Sequence, residues 1–138
     1  MPNSLPIYLV SACLIGLCTR YDGKTKENAH CIEKLAHSFW IPICPEQLGG
    51  LPTPRESADI SGGDGADVLA GTARVITQSG IDLTEEFIRG AHQVLQIARL
   101  QNVQAIFLKG RSPSCAVGGK IGVTAALLQA ANFRLIEF

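Results

Sequence analysis

The chain has 138 residues, 12 Lys and Arg against 12 Asp and Glu, and five cysteines. That length fits a single domain over residues 1–138, able to bury roughly two-thirds of the surface of its unfolded form without disulfide support. Balanced charge without a Lys/Arg run excludes the electrostatic footprint of a nucleic-acid partner and favours a small-molecule ligand.

The first residues hold an apolar run of only four, Ile7 to Val10, which is too short for a signal peptide or a membrane span. An odd number of cysteines without regular spacing does not read as a secreted disulfide framework. The expectation is a cytoplasmic protein with reduced thiols and no membrane partner; the oligomeric state is open.

Pro6 to Val10 predicts a first strand, nearly continuous in apolar character as in a sheet covered on both faces. Residues 27 to 38 predict a helix with Cys31, Ile32, Leu35 and Ala36 on its inner side. Trp40 to Ile43 predicts a second strand, although Pro42 removes a ladder donor. Pro45 to Ser57 reads as a Pro/Gly-rich loop, residues 61 to 67 as a mobile Gly-rich segment, and Thr72 to Thr77 as a strand or part of the same excursion. A long helix capped by Asp82 or Thr84 runs to about Asn102, with Phe87, Ile88, Ala91, Val94, Leu95 and Ala98 as its apolar stripe. Ala105 to Leu108 is a strand, Val123 to Ala131 a helix, and Arg134 to Glu137 a last strand. The alternation predicts an α/β fold: a three-layer, Rossmann-like or flavodoxin-like domain with a mostly parallel sheet.

Cys13, Cys44 and Cys115 each fall just past a predicted strand, in polar or Pro-containing sequence. In an open parallel sheet the carboxyl ends of the strands share one edge, where ligands bind, so the three thiols can meet in space. Four chemistries fit thiols so placed. A phosphatase-like loop would pair Cys13 with Arg20, but six residues separate them and Leu14, Ile15 and Leu17 are bulky for an oxyanion cradle. Structural zinc normally uses close Cys-x-x-Cys pairs, which are missing. Packing as small buried hydrophobes suits Cys31, on the apolar side of a helix. An iron–sulfur cluster held by three cysteines explains all three strand-end positions and leaves one iron open to substrate.

The motifs Ser11-Ala-Cys-Leu-Ile-Gly, Arg20-Tyr-Asp-Gly, Cys44-Pro-Glu, Gly49-Gly-Leu-Pro-Thr-Pro-Arg55, Ser112-Pro-Ser-Cys115 and Gly122-Val-Thr-Ala-Ala-Leu-Leu128 together resemble the thiouracil desulfidase family. The resemblance implies a cytosolic enzyme that removes sulfur from 2-thiouracil or a related thiolated pyrimidine with a 4Fe-4S cluster. It implies Cys13, Cys44 and Cys115 as cluster ligands, with Glu46 and Ser112 assisting catalysis. The segment between the Ser-Pro-Ser-Cys and Gly-Val-Thr motifs is shorter than is usual there: only residues 116 to 121 intervene.

The chemistry can be argued beside the resemblance. An open iron would bind a soft thiocarbonyl sulfur and draw electron density from its carbon, letting water attack without redox change. Glu46, two residues after a ligand, is placed to move the proton. Ser112 could hydrogen-bond the substrate, or be an ordinary turn residue. Tyr21 could stack on the pyrimidine, or simply pack. The Gly118, Gly119 and Gly122 turn could aim N–H groups at a ring carbonyl, or merely start a helix. Arg20 and Asp22 could form a structural pair, and Cys18 ranks below the other thiols as a ligand. A protein that holds iron–sulfur or zinc without catalysis is the competing reading.

Overall fold

The computed structural model describes residues 4–138. Its centre is a four-stranded parallel sheet in the order β2-β1-β5-β6. These strands are β1 (Ile7–Ser11), β2 (Phe39–Ile43), β5 (Ala105–Leu108) and β6 (Leu135–Glu137). β1 is flanked on both sides, pairing Leu9 with Ile41 of β2 and with Ile106 of β5. All four residues of β5 are buried, as a strand covered on both faces requires. Pro42 is tolerated because β2 is an edge strand, where a missing N–H breaks no second ladder.

Alternation of side chains sorts the sheet into two packed faces. Leu9, Ile43, Ile106 and Leu108 meet Val94, Leu95 and Ala98 of α4 (Thr84–Gln101) and Ala125 and Leu128 of α5 (Val123–Ala130). Val10, Ala105 and Phe107 point the other way, onto Leu14 and onto Cys31 and Leu35 at and just past α1 (Ala29–Lys34). The expected three-layer α/β arrangement is therefore present, with the layer on the α1 side thin. α1 is shorter than the pattern suggests, so Ile32 and Ala36 lie exposed while Cys31 and Leu35 are buried.

Between β2 and α4 the chain is more ordered than its Pro/Gly content predicts. Pro45–Leu48 forms α2, a single turn with Pro45 at its first position. β3 (Ala58–Ser61) and β4 (Arg74–Thr77) make an antiparallel hairpin separate from the main sheet, with α3 (Gly65–Ala70) between them. α3 begins with a reciprocal capping box in which Asp64 accepts from the Asp67 N–H and Asp67 from the Asp64 N–H. Ile60, Val68 and Val75 of this unit pack on Phe87, Ala91 and Val123. α4 thus buries one stretch against the hairpin unit and another against the sheet.

α2 crosses α4 on bare backbone. A methyl group on Gly90 would overlap the Pro45 carbonyl oxygen, and one on Gly49 the Glu86 carbonyl oxygen. Only glycine at both positions allows this approach, which fixes the height of α2 above the sheet.

Candidate active site

Three strand ends build the site. β1 runs directly into a 3-10 turn, Ala12–Ile15, which holds Cys13. Cys44 follows β2 and is the N-cap residue of α2. Cys115 lies between β5 and α5, in a loop pressed onto the helix start: Val123 N–H donates to the Pro113 carbonyl, and those of Thr124 and Ala125 to the Ser114 carbonyl. A side chain at Gly122 would overlap the Ser114 carbonyl, so the close fit needs glycine.

All three cysteines line one cavity of about 120 Å³, with Glu46, Ser112 and Tyr21 also in its wall. It occupies the carboxyl edge of β1, β2 and β5, where an open parallel sheet binds ligands. Among the described residues, no three His, Cys, Asp or Glu side chains close on a single metal ion. The thiols border a common space rather than one point.

Burial pushes the Cys13 thiol above its ordinary range, against the pull of the Lys109 ammonium. Complete burial pushes Cys115 up to about 12, although the Ser11 and Ser114 hydroxyls favour its thiolate. Ser11 Oγ stands 3.4 Å from Cys115 Sγ and accepts the Lys109 N–H at 3.0 Å. Lys109 itself is held below its usual value by burial. Burial therefore favours the neutral thiol form of both cysteines.

Glu46 is the centre of a hydrogen-bonded row. Arg55 Nε donates to Glu46 Oε1 at 2.9 Å, and both side chains are largely buried, 6% and 15% exposed. Arg55 also donates to the Thr19 and Pro52 carbonyls and to Thr53 Oγ1, tying the β1–α1 loop to α2. On the other side, Ser114 Oγ donates to Glu46 Oε2 at 2.9 Å and lies 2.9 Å from Ser112 Oγ. Arg55 and Ser114 were visible in the sequence only as members of motifs. Their roles depend on contacts 9 and 68 residues distant in the chain.

Tyr21 reaches the cavity mouth, 42% exposed, with the Arg20 guanidinium 5.6 Å from its ring centre. Arg20 pairs with Asp22 at 3.4 Å, the structural alternative expected for them. The N–H groups of Gly16 and Leu17 close on the Cys13 and Ala12 carbonyls, which is not the cradle a phosphatase-like loop would offer. Gly118 and Gly119 are not brought to this cavity. They line a wider one of about 500 Å³ beyond Ser112 and Pro113, and the Gly118 N–H is taken by Glu137 at 3.0 Å. Gly122 likewise spends its N–H on the Ala116 carbonyl. Of that turn, the Gly118 and Gly122 N–H groups are thus already engaged, and Gly119 lies in the wall of the wider cavity. Cys18 is exposed and outside the cavity wall, and Cys31 is buried on the inner side of α1.

The profile of the 2-thiouracil desulfurase family matches residues 8–137. The chain belongs to that family. As a member of it, the protein is an enzyme of carbon–sulfur bond cleavage. This desulfurase-family chain is 44% identical to YbbK of Bacillus subtilis (strain 168), described as an uncharacterized protein, over 94% of this chain and 93% of that one. It also superposes on the solved structure of the 4Fe-4S-dependent thiouracil desulfidase TudS with a TM-score of 0.82. That match has 35% identity and covers 96% of this chain and 90% of the other.

Proposed function

We propose that this enzyme replaces the sulfur of 2-thiouracil, or of a related thiolated pyrimidine, by oxygen from water, using a 4Fe-4S cluster held by Cys13, Cys44 and Cys115. The observation that carries this reading is the meeting of three thiols from three strand ends at one cavity beside a carboxylate. The donor set fits the group: three sulfurs, no fourth cysteine in the wall, four cationic side chains (Arg20, Arg55, Lys109 and Arg111) and a hydroxyl on the Cys115 sulfur. When bound, such a cluster supplies an iron without a protein ligand, a Lewis acid for a soft thiocarbonyl sulfur.

The chain's own residues do the rest. Tyr21 offers a face for the pyrimidine at the mouth, and Ser112 a hydroxyl for its polar edge. Glu46 accepts the proton of the attacking water and returns it, held in place by Arg55. No electron is exchanged with the substrate. We place the enzyme in the reducing cytoplasm, where five free cysteines stay reduced; among the described residues no helix is long and apolar enough to cross a membrane.

The test is anaerobic reconstitution followed by iron and sulfide analysis and assay with 2-thiouracil. About four irons per chain are expected, with loss of the cluster in each of Cys13→Ser, Cys44→Ser and Cys115→Ser but not in Cys31→Ser. Glu46→Gln should keep the iron and lower turnover by roughly two to four powers of ten. Zinc without sulfide would point to a metal-binding protein without this chemistry. A reconstituted cluster with no release of uracil and sulfide would reject the substrate.

A further inference from the structure

The wall of the thiol cavity holds more positive charge than carboxylates balance. Of its four cations, Arg20 is paired with Asp22 and Arg55 with Glu46. Among the described residues, Lys109 and Arg111 form no ion pair. The Lys109 ammonium gives one hydrogen to the Gly110 carbonyl at 2.6 Å, and an ammonium has three to give. Burial holds Lys109 below its usual value; a Cys13 thiolate opposes this, while Arg20, Lys26 and Arg111 press it further down. An anion entering among these cations offsets their mutual repulsion. Arg111 has a φ of 60°, left-handed backbone that a long side chain keeps only where its surroundings enforce it.

Three thiolates around an oxidised 4Fe-4S core sum to a charge of about −1, so the two unpaired cations leave room for about one further negative charge. The reaction itself produces one. When oxygen from water replaces sulfur, the carbon–sulfur bond breaks with its electron pair on sulfur. One hydrogen of the water leaves with that sulfur as hydrosulfide, the other goes to solvent as a proton, and nothing is oxidised or reduced. We propose that Lys109, with Arg111 as a second charge, holds the departing sulfur as hydrosulfide. The inference rests on the desulfidase reading above and names the cation that meets its leaving group. Charge builds on sulfur as the bond breaks, so a fixed cation in a partly buried wall stabilises that stage more than it strengthens binding of a neutral pyrimidine. Lys109 thereby acts on kcat and on the retention of product, and little on KM.

The experiment compares wild type with Lys109→Met, Lys109→Arg and Lys24→Met, the last removing an exposed charge outside the cavity wall. On the cluster-free proteins, sodium hydrosulfide added at fixed ionic strength should raise the Tm of the wild type progressively, as binding to the folded form requires. The rise should be lost in Lys109→Met and kept in Lys109→Arg and Lys24→Met. On reconstituted enzyme, inhibition of 2-thiouracil turnover by added hydrosulfide should weaken roughly 10- to 100-fold in Lys109→Met, the range for a lost hydrogen bond to a charged group. Its kcat should fall about tenfold, with KM within about twofold of wild type.

No rise in the wild type, or an equal rise in Lys109→Met, would overturn the proposal and leave the desulfidase reading standing. A raised KM with inhibition unchanged would also overturn it, and would make Lys109 a contact of an ionised pyrimidine instead. If the wild type releases no sulfide from 2-thiouracil, that reading falls and the Tm series alone decides the anion site. If Lys109→Met does not fold, Arg111→Gln, at an exposed position, takes its place: a weakened response to hydrosulfide supports the pair, and an undiminished one overturns it.

Discussion

Gly90→Ala should damage the site from a helix that does not touch it. Glycine inside a helix costs roughly 0.5–1 kcal/mol relative to alanine, so propensity alone predicts a stabilised protein. Here the added methyl would overlap the Pro45 carbonyl oxygen, a backbone atom with no rotamer to escape into. Reaching ordinary van der Waals separation means moving α2 by roughly 1–2 Å, and overpacking of this kind costs about 1–3 kcal/mol. The net effect is a destabilisation of about 1–2 kcal/mol, or roughly 3–8 °C in Tm for a domain of this size. The displaced element carries Cys44 at its N-cap and Glu46 in its first turn. A misplacement of about 1 Å at reacting groups can cost around 100-fold in rate. Thermal unfolding, iron content and turnover of Gly90→Ala would be compared with Gln96→Ala, an exposed change on the same helix. A Gly90→Ala protein as stable and as active as wild type would refute the claim that backbone contact sets the position of α2.

Two further perturbations test the supports of the site and fold. Arg55→Met should destabilise by about 3 kcal/mol, because it leaves Glu46 partly buried without its cation and frees the Thr19 and Pro52 carbonyls; Arg55→Lys should recover only part, lacking the planar fork. Chemical denaturation measures both. Asp82 is held down to about 2 by hydrogen bonds from the Thr84 hydroxyl and N–H and from Arg74, against an ordinary value of 3.8. A folded-state value below the unfolded one means stability present above about 3.8 and lost as pH falls through about 2. Asp82→Asn should therefore lower Tm at pH 6, with the difference shrinking as pH falls through about 2 and vanishing below it.

The parts legible in sequence are those whose signal is local. Continuous apolar runs such as Ala105–Leu108 announce parallel strands, and the stripe from Phe87 to Ala98 announces α4. The strand-end rule then places Cys13, Cys44 and Cys115 together before any coordinates. α2 and α3 were missed for different reasons. α2 is one turn long, and its support is the approach to Gly90, which no local pattern shows. α3 did carry a signal, the Asp64 to Asp67 capping box, hidden because the flanking glycines read as a mobile segment. The Gly118 and Gly119 turn read as aiming N–H groups at a ring carbonyl, but the Glu137 carboxylate, supplied by the last strand, already accepts from the Val117 and Gly118 N–H groups. Ser114 and Arg55 gain meaning only from what lies across the cavity.

Ser11 offers the last test, because it couples the first strand to the thiolate at the third. The side chain is 3% exposed, donates to Cys115 Sγ at 3.4 Å and accepts the Lys109 N–H at 3.0 Å. Reduction of a cluster held by Cys115 would place further negative charge on its sulfurs, where a hydroxyl donor stabilises it. A hydrogen bond worth about 0.5–1.5 kcal/mol more in the reduced form corresponds to roughly 20–60 mV for one electron. Ser11→Ala should lower the reduction potential by that amount, and Ser11→Thr, which keeps the hydroxyl, should lower it less. The alanine variant should also lose about 1–3 kcal/mol of stability, since the Lys109 N–H is left without its acceptor. Redox titration of reconstituted protein followed by its visible spectrum measures the shift. An unchanged or raised potential in Ser11→Ala, with iron retained, would show that the hydroxyl serves the Lys109 backbone alone and not the sulfur.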